Sequence, residues 1–346
     1  MKKYFFVILC MMAFSSYASD FVVDGLHYNI LNDTEVEVTY EKNSSGNNGA
    51  TYTGDIIVPS EVSYRGITFN VTTIGKYAFA SCKMESVQIP ESVIKLSTSA
   101  FTGCKVKSLY LPNSISEIGD YCLADMTNVT DLHLPENNNI KSLPFHCCRS
   151  MLSLTKLDIP VNITYLGDCA FAWANSLTSV KFHNKLTQFG ASCFSDCKSL
   201  EEIEFTASHV NINYYSFRNC AKLKTIKFSS SSATLNGFPD CDALENIVVY
   251  DETARPISES AFPEAVYLFG TLYVPENAIE SYKNAAGWSK FRNIEPISNF
   301  ASIASIAIEK NNDVQYYNLN GIQVTNPQNG IFIEVLPNQK SRLIRK

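Results

Sequence analysis

The sequence predicts a mostly β solenoid, with a parallel sheet on one face and turns or short helices on the other. Three observations carry this prediction: an internal repeat of about 23 residues, a short apolar–polar–apolar segment in every repeat, and flanking segments that depart from the pattern. The chain has 346 residues, 45% of them hydrophobic and 18% charged. It can therefore bury a large core.

One apolar position marks the repeat. Phe79 follows Ile74-Gly75 and precedes Cys82, and similar surroundings recur along the chain. The positions equivalent to Phe79 are Phe101, Leu123, Cys148, Phe171, Phe194, Phe217 and Phe238, spaced by 22, 22, 25, 23, 23, 23 and 21 residues. Large apolar side chains at one recurring position predict a continuous core that runs along the array.

A short strand is predicted in each repeat. Segments such as Val87-Gln88-Ile89 and Leu109-Tyr110-Leu111 alternate apolar and polar residues, and the first four end at a proline. Alternation indicates a strand with one buried face, and proline ends it because it has no N–H to donate to the ladder. The eight segments are 87–89, 109–111, 132–134, 157–159, 180–182, 203–205, 226–228 and 247–249.

The repeat unit resembles the BspA-like leucine-rich repeat. The pattern I-G-x-x-A-F-x-x-C-x-x-L-x-x-I-x-I-P-x-x-V covers residues 71 to about 275, and the family is common in secreted proteins of gut and oral bacteria. The resemblance implies a β-rich N-terminal cap at 19–70. It also implies a leucine-rich repeat solenoid at 71–296, closed by a unit around Thr271–Pro275 and Tyr282–Trp288. Atypical end units are expected because an open solenoid end exposes core and strand edge.

Residues 1–18 are predicted to be a signal peptide. Lys2 and Lys3 precede an apolar stretch from Tyr4 to Phe14, and Ser16 and Ala18 place small residues before a cleavage site. A lipoprotein interpretation would use Cys10, but it has the large Leu9 before it. We therefore expect an exported protein, extracellular or on the outer cell surface. No later stretch reaches about 18 apolar residues, so no membrane span is predicted.

Residues 297–346 are predicted to form a small β-rich module. Asn320-Gly321 lies between two strand-like segments and is typical of a hairpin turn, and Gly330–Val335 indicates a further strand. This tail resembles the sorting tail of the type IX secretion system but is shorter than a full sorting domain. The alternative is a small module that packs against the last repeat.

Charge and motifs narrow the function classes. The net charge is −6 and the pI about 5.5, which argues against nucleic-acid partners because these require clustered Lys and Arg. No metalloprotease, nucleophile-elbow, phosphate-loop or EF-hand motif is present. His146, Cys147 and Cys148 do not supply four converging ligands, and a Cys197–His183 nucleophile would use a repeated core position. We expect no catalytic residues, no metal and no cofactor.

The eleven cysteines are interpreted as mostly buried thiols. Cys82, Cys104, Cys197, Cys220 and Cys241 share one repeat position, which Met126, Met151 and Ala174 occupy in other repeats. Such a position requires a small or soft apolar group. Disulfides between adjacent repeats stay an alternative for the Cys82–Cys104 and Cys197–Cys220 pairs, with Cys241 next in that series.

The candidate binding surface is the outward side of the predicted strands, here called the strand face. The residues between the two apolar anchors point outward, and parallel stacking places them in one row with about 4.8 Å between neighbours. We expect Tyr110 and His133 to lie side by side as an aromatic anchor. Alternating charges farther along the row have a second interpretation, because cross-strand pairs stabilise a sheet without any ligand. The candidate ligand-binding residues are Gln88, Tyr110, His133, Asp158, Lys181, Glu204 and Lys227.

The sequence favours a non-catalytic exported binding protein. The family resemblance implies adhesion, with host or bacterial surface proteins as partners. The alternative is a carbohydrate-binding accessory protein. Glycans favour exposed Trp or Tyr platforms, yet Trp173 is predicted in a turn and Trp288 in the closing unit, and no such row is visible on the strand face. A hydrolase built from scattered residues is a third hypothesis that no spacing supports.

Overall fold

A computed structural model describes residues 19–41 and 52–300 in full. Beyond residue 300 it describes the backbone of four strands, at 315–317, 323–324, 331–335 and 341–345. The predicted signal peptide at 1–18 lies outside the described residues. The predicted fold class is confirmed: successive coils of the chain stack into a mostly β solenoid with parallel sheets.

The strand face carries one strand from most coils. Most of its strands begin after the C-x-x-L part of the repeat, where alternate side chains enter the core and the others point outward. They are β7 (Lys83–Gln88), β9 (Ser108–Tyr110), β11 (Asp131–His133), β14 (Ser179–Phe182), β16 (Glu202–Phe205), β18 (Thr225–Phe228) and β20 (Asn246–Val249).

The predicted strand at 157–159 is wrong. Residues 154–160 have no regular structure, and β11 and β14 are not joined through them. The strand face is therefore divided into pieces: β9 with β11, then β14 through β20 and onward. The sequence alternates at 157–159 as it does elsewhere, so the interruption has a cause outside the segment itself.

The opposite side carries a second parallel sheet, here called the back sheet, which sequence reasoning did not anticipate. Its strands are only two or three residues long in the repeats because each coil turns again after the Ile-Gly or equivalent position. The first part contains β8 (Lys95–Leu96) and β10 (Glu117–Ile118). The second contains β12 (Ser142–Leu143), β13 (Tyr165–Leu166), β15 (Gln188–Phe189), β17 (Val210–Ile212) and β19 (Ala233–Leu235).

Between the two sheets each coil makes a tight turn, and the stacked turns are here called the turn ridge. Two residues per turn, four apart, adopt left-handed backbone, as Tyr121 and Asp125 do at φ 57° and 58°. This conformation turns backbone groups toward the next coil: the amides of Leu123 and Asp125 donate to the carbonyls of Cys147 and Arg149, both at 2.8 Å. The turn ridge thus joins coils by backbone hydrogen bonds independently of the sheets.

The core lies between the sheets and follows the marker position of the repeat. Phe79, Phe101, Phe171, Phe194 and Phe217 are fully buried, as are Leu123, Cys148 and Phe238. Neighbouring rings lie close, with centroids 5.3 Å apart for Phe194 and Phe217 and 5.1 Å apart for Phe79 and Phe101. The prediction that this position builds the core is confirmed.

The N-terminal cap extends both sheets. The cap is β-rich as expected and begins with a hairpin, since β1 (Phe21–Val23) and β2 (Leu26–Ile30) pair antiparallel around Asp24-Gly25. β3 (Glu35–Thr39) pairs with β2 and, in parallel, with β6 (Ile67–Ile74), which forms a hairpin with β5 (Glu61–Tyr64) and leads into the back sheet. β4 (Thr53–Ile57) pairs in parallel with β7. β6 runs across residue 70, where the sequence predicted the end of the cap.

The closing unit ends the array with aromatic packing and two more strands. β21 (Thr271–Val274) and β22 (Asn293–Pro296) add in parallel after β20. Between them lies α2 (Ile279–Asn284), and α1 (Glu264–Phe269) precedes β21. Trp288 is buried and donates from Nε1 to the carbonyl of Arg255 at 2.8 Å. A large indole thereby covers the end of the core.

The predicted strands of the C-terminal tail are confirmed. β23 (Gln315–Tyr317) pairs antiparallel with β24 (Gln323–Val324), which flank the predicted turn at Asn320-Gly321. β25 (Ile331–Val335) pairs with β23 and with β26 (Ser341–Arg345), so the order is β24-β23-β25-β26. The turn residues themselves lie outside the described residues.

Candidate functional site

Tyr110 and His133 stand side by side on the strand face, on the neighbouring strands β9 and β11. Their ring centroids are 5.6 Å apart at 44°. Tyr110 is 57% exposed, and His133 Nε2 lies 3.2 Å from Asp131 Oδ1. Ser108 donates to the same carboxylate at 3.4 Å. The two rings are thus open to solvent, and the imidazole is oriented by a carboxylate.

The charged residues of the row pair with each other only in part. Lys181 Nζ lies 2.8 Å from Glu204 Oε1, across β14 and β16, as the cross-strand interpretation predicts. Lys227 instead reaches diagonally to Glu202 at 2.7 Å. Asp158, the next acidic residue along the row, makes no hydrogen bond or ion pair with the described part of the chain. Asp158 is therefore available to a partner, whereas the lysines are engaged.

The C-terminal part of the strand face is covered. Val248 and Tyr273 occupy the outward row on β20 and β21, yet they are 0% and 4% exposed. The ring of Phe300 lies 5.2 Å from that of Tyr273, and Lys227 Nζ lies 5.8 Å from the Phe300 centroid. The expected open plate along the whole array is therefore shorter, since the residues after β22 return over its end.

Gln88 lies on a separate piece of the strand face. It ends β7 and pairs with Ile57 of β4, and β7 is not joined to β9 by a ladder. Both Gln88 and Ile57 are exposed, Ile57 at 65%. The seven candidate residues thus fall on three regions of the strand face, and the middle region contains Tyr110, His133 and Asp158.

A cleft of about 460 Å³ opens in this middle region, here called the interstrand cleft. One wall is β11 with its flanking residues, and the other is the irregular segment 155–161. Leu132 and Ile159 are half-buried in it, whereas their equivalents in other repeats, Leu109 and Phe205, are fully buried. The lining residues are Thr130, Asp131, Leu132, His133, Leu134, Glu136, Thr155, Lys156, Asp158, Ile159, Pro160 and Val161. The cleft therefore has an apolar floor and a charged rim.

The backbone along the cleft is not paired. No backbone hydrogen bond joins residues 155–159 to another strand within the described ranges. On the facing wall, β11 uses its other side for β9, where the Leu111 amide donates to the His133 carbonyl at 3.0 Å. Backbone groups alternate in direction along a strand, so those of Leu132 face the cleft. Two rows of unpaired donors and acceptors thus border the same opening.

The gap in the strand face coincides with a two-residue insertion one coil earlier. Pro112 precedes Ile115 by three residues, but Pro135 precedes the equivalent Ile140 by five. The added residues are held by the coil before them, since Asn137 Nδ2 donates to the carbonyl of Asn113 at 2.7 Å. The back sheet is interrupted at the same junction, between β10 and β12. The 25-residue spacing of this repeat was the sequence signal for the cleft.

A second exposed cluster lies on the turn ridge, and sequence reasoning missed it. Arg149 pairs with Asp125 at 3.2 Å, and its guanidinium carbon lies 5.7 Å from the Tyr121 ring centroid and 5.9 Å from that of Trp173. Trp173 is 38% exposed. Trp173 and Tyr121 both occupy left-handed turn positions, which place side chains outward. The recurrence of these positions was the signal that could have located the cluster.

His146 and Phe145 complete this ridge cluster. The His146 ring stacks on Tyr121 at 4.7 Å, and Phe145 is 41% exposed. Partial burial, with Arg149 as a smaller contribution, lowers the pKa of His146. The adjacent Cys147 and Cys148 are fully buried, so these three side chains do not converge. Across the described residues no group of three or more His, Cys, Asp or Glu is placed to hold a metal ion.

The cysteines are core residues. Cys104, Cys197 and Cys220 carry free thiols, so neither candidate pair, Cys82–Cys104 or Cys197–Cys220, is a disulfide. Burial raises the pKa of Cys197 to about 12, and its thiol donates to the Phe171 carbonyl at 3.5 Å. A thiol in this state is a poor nucleophile. The interpretation of the repeat cysteines as buried thiols is confirmed.

The comparison with protein families decides what kind of array this is. The family described as "BspA type Leucine rich repeat region" matches with six copies, over residues 60–172 and 141–268. These matches together cover more than half of the chain. The chain belongs to this family. A comparison with curated proteins gave no match.

Solved structures of leucine-rich repeat proteins resemble the chain at low identity. A leucine-rich repeat protein from Bacteroides ovatus is 20% identical, with 76% of this chain and 96% of that chain covered, at a TM-score of 0.36. A leucine rich cell surface protein from Faecalibacterium prausnitzii is 17% identical, with 80% and 94% covered, at 0.39. The T. pallidum leucine-rich repeat protein is 19% identical, with 65% and 90% covered, at 0.43.

Leucine-rich repeats are protein-binding scaffolds as a class, and solenoids of this kind bind through their extended surfaces. In this BspA-type chain, no helix among the described residues is long and apolar enough to cross a membrane. On the strand face the repeating strands are interrupted at 157–159, and the interstrand cleft lies at this interruption.

Proposed function

We propose that this BspA-type protein is a non-catalytic, exported binding protein that engages a protein partner through the strand face. The observation that carries the proposal is the interstrand cleft, which interrupts an otherwise regular sheet beside the exposed Tyr110–His133 pair. Its volume of about 460 Å³ lies within the range of ligand sites, about 300–1,000 Å³.

The chemistry of the region supports a protein partner. Tyr110 and His133 offer amphipathic rings beside a cleft whose floor is apolar, which is the combination that anchors protein interfaces. Asp158 has no partner within the described chain and is open to a complementary charge. The partners proposed are host or bacterial surface proteins.

Export belongs to the same proposal. It rests on the positively charged and apolar segments within residues 1–18, and on the family resemblance, which is to secreted proteins. The proposed location is extracellular or on the outer cell surface. A separate proposal is that the tail after residue 297 acts as a type IX sorting signal. Its four-stranded antiparallel sheet supports this proposal.

A binding screen tests this function. The chain from residue 19 to 346 is applied to an array that carries matrix proteins, bacterial surface proteins and glycans. We expect a protein hit that the double substitution Tyr110→Ala, His133→Ala weakens at least about tenfold, because interface aromatics carry much of the binding energy. Both side chains are exposed, so we expect the melting temperature to stay nearly unchanged.

Tyr214→Ala is the matched control. Tyr214 is 63% exposed but lies on the turn ridge, so its loss should leave that hit intact. If the double variant binds the protein hit as tightly as the parent chain does, the strand face is not the binding surface for that protein.

Glycan binding is the second candidate function. The ridge cluster favours it, because Trp173, Tyr121 and Phe145 present aromatic surface beside the Arg149–Asp125 ion pair. Aromatic faces with adjacent planar polar groups suit a sugar ring. Glycan binding would be supported over protein binding by a glycan hit that is lost in Trp173→Ala. The double variant Tyr110→Ala, His133→Ala should still bind that glycan.

A further inference from the structure

We propose that the interstrand cleft binds an extended peptide segment of the partner as an added strand, and that this segment alternates apolar and basic residues. This inference rests on the proposed function, since it specifies how the strand face would take its partner. It is carried by four features of the cleft: unpaired backbone, an open floor, rim charge and a fixed geometry.

The unpaired backbone supplies the main-chain contacts. Residues 155–159 make no backbone hydrogen bonds to other strands within the described part of the chain, and Leu132 presents its backbone groups from the facing wall. From β14 onward such groups on this face are paired, as in the four-residue register of β14 with β16. An extended segment placed between the walls would pair with both rows, as strands do when they add to an exposed sheet edge.

The floor selects apolar side chains at alternate positions. Leu132 and Ile159 are half-buried in the cleft, whereas their counterparts in other repeats, Leu109 and Phe205, are closed off from solvent. Side chains of an added strand alternate in direction, so every second one would lie on this floor. Covering two half-exposed aliphatic side chains adds hydrophobic stabilisation to the main-chain bonds.

The rim selects basic side chains at the remaining positions. Asp131, Glu136 and Asp158 line the cleft against a single Lys156, and His133 is already in contact with Asp131. The rim thus carries an excess of negative charge. The outward-pointing residues of an added strand would meet these carboxylates, so Lys or Arg is favoured there and Asp or Glu disfavoured.

The geometry is fixed before binding. The turn ridge joins the coils that contain Leu123 and Cys148 through the backbone bonds from Leu123 and Asp125, and both sheets are interrupted between these two coils. A preformed gap lowers the ordering cost of binding for the protein, although the peptide must still become extended.

The probe is a synthetic peptide of about seven residues that alternates valine and lysine, long enough to span the cleft walls at about 3.3 Å per residue. A second peptide has the same side chains but carries N-methyl groups on every other amide, and a third alternates valine and glutamate. Binding to the full chain is measured by calorimetry, and backbone protection by hydrogen exchange with mass spectrometry.

We expect the valine–lysine peptide to bind and to protect residues 155–159 and 132 from exchange. N-methylation should weaken binding at least about tenfold, because it removes main-chain donors without changing charge. The valine–glutamate peptide should bind more weakly still. Asp158→Asn should weaken the valine–lysine peptide severalfold, and Asp242→Asn, at an exposed acidic residue far along the chain, should not.

A variant that lacks Asn138 and Asn139 tests the role of the gap itself. It restores the three-residue interval from Pro135 to Ile140, so we expect the cleft to close and peptide binding to be lost. Circular dichroism checks that this variant is folded. Because Asp158→Asn changes no backbone, the proposal stays testable even if the shortened chain does not fold.

Three results with the peptides would overturn the inference: equal binding of the N-methylated peptide, protection outside the cleft, or no binding of any peptide. Strong protection of 155–159 in the peptide-free chain would also overturn it, since the chain itself would then fill the cleft. If a protein hit on the array is lost with Tyr110→Ala, His133→Ala while the peptides fail, only the added-strand inference fails. If that hit is insensitive to the double variant, the proposed function fails.

Discussion

Phe194 shows how a single repeat position determines stability. Its ring is fully buried, with centroids 5.4 Å from Phe171, 5.3 Å from Phe217 and 5.4 Å from Phe182. Phe194→Ala removes a ring that has aromatic neighbours in both adjacent coils. We expect a loss of about 3–5 kcal/mol in the free energy of unfolding, the usual range for deleting a core phenylalanine.

Urea unfolding followed by circular dichroism measures this loss. Tyr214→Ala serves as the comparison, because its ring is 63% exposed and surface substitutions usually change stability by less than about 0.5 kcal/mol. A loss below about 1 kcal/mol for Phe194→Ala would show that the marker position does not carry the core.

The cysteines make a second prediction at the residue scale. Nine of the ten described cysteines are buried and Cys169 alone is intermediate, so a maleimide should label only Cys169 in the native chain lacking residues 1–18. The reaction should be slow, because burial and the nearby Asp168 raise the pKa of the Cys169 thiol. Mass spectrometry counts the labels.

Cys169→Ser should abolish native labelling and leave the other nine thiols reactive in denaturant. Rapid labelling of two or more thiols in the native chain would contradict the buried placement of this series. Because the repeat position also holds Met126, Met151 and Ala174, the thiols are retained as apolar groups and not for their reactivity.

At the scale of elements, the sequence predicts those that repeat. The marker position, the strands β7, β9, β11, β14, β16, β18 and β20, and both tail hairpin strands follow from periodicity and turn residues. These predictions succeed because each strand has one buried face and a fixed register with its neighbour, so the local pattern and the packing agree.

The back sheet was not predictable in the same way. Its repeat strands β8, β10, β12, β13 and β15 are two residues long, which is too short for any alternation to appear. They pair because the coil before and after brings them into register, as Leu166 of β13 meets Phe189 of β15. Their existence is a property of stacking and not of local sequence.

The missing strand at 157–159 shows the opposite case. Leu157-Asp158-Ile159 has the same pattern as its neighbours, and the pattern predicts a strand that is absent. The irregularity that accompanies it lies some twenty residues earlier, in the longer interval from Pro135 to Ile140. Local alternation indicates which side chains face the core. Strand pairing also requires that the segments of two neighbouring coils lie side by side in register. The interstrand cleft was therefore visible only as an irregular repeat length.

The sequence also did not predict which of the outward-pointing residues are exposed to solvent. Val248 and Lys227 belong to the predicted outward row, yet the residues up to Phe300 cover Val248 and half-bury Lys227. The ridge cluster around Arg149 was missed for a related reason, because its members come from three coils and meet only through stacking.

For the whole molecule, the array is divided at the junction between the third coil, which contains Leu123, and the fourth coil, which contains Cys148. Both sheets are interrupted there, and the ring series is interrupted too, since Leu123 and Cys148 replace phenylalanine. In a solenoid each coil contacts only its neighbours, so stability is close to a sum of coil and interface contributions. An interface that lacks sheet hydrogen bonds contributes less coupling, although the turn ridge and aliphatic core still join the two sides.

Hydrogen exchange on two matched variants measures this coupling. Phe101 packs 5.1 Å from Phe79 before the junction, and Phe217 packs 5.3 Å from Phe194 after it. We expect Phe101→Ala to accelerate exchange in β9 and β11 while β16, β18 and β20 stay protected, and Phe217→Ala to do the reverse. Local opening in such arrays follows the weakest interface, so a destabilised block exchanges without its neighbour.

The two variants control for each other, because each removes one fully buried phenylalanine from the same repeat position. Equal acceleration on both sides of the junction by either variant would show a single cooperative unit. That outcome would mean that the turn ridge transmits as much coupling as the sheets do, and the cleft would then be a local gap in a rigid array. Separate blocks would instead make the cleft the boundary at which the two halves of the solenoid adjust to a bound segment.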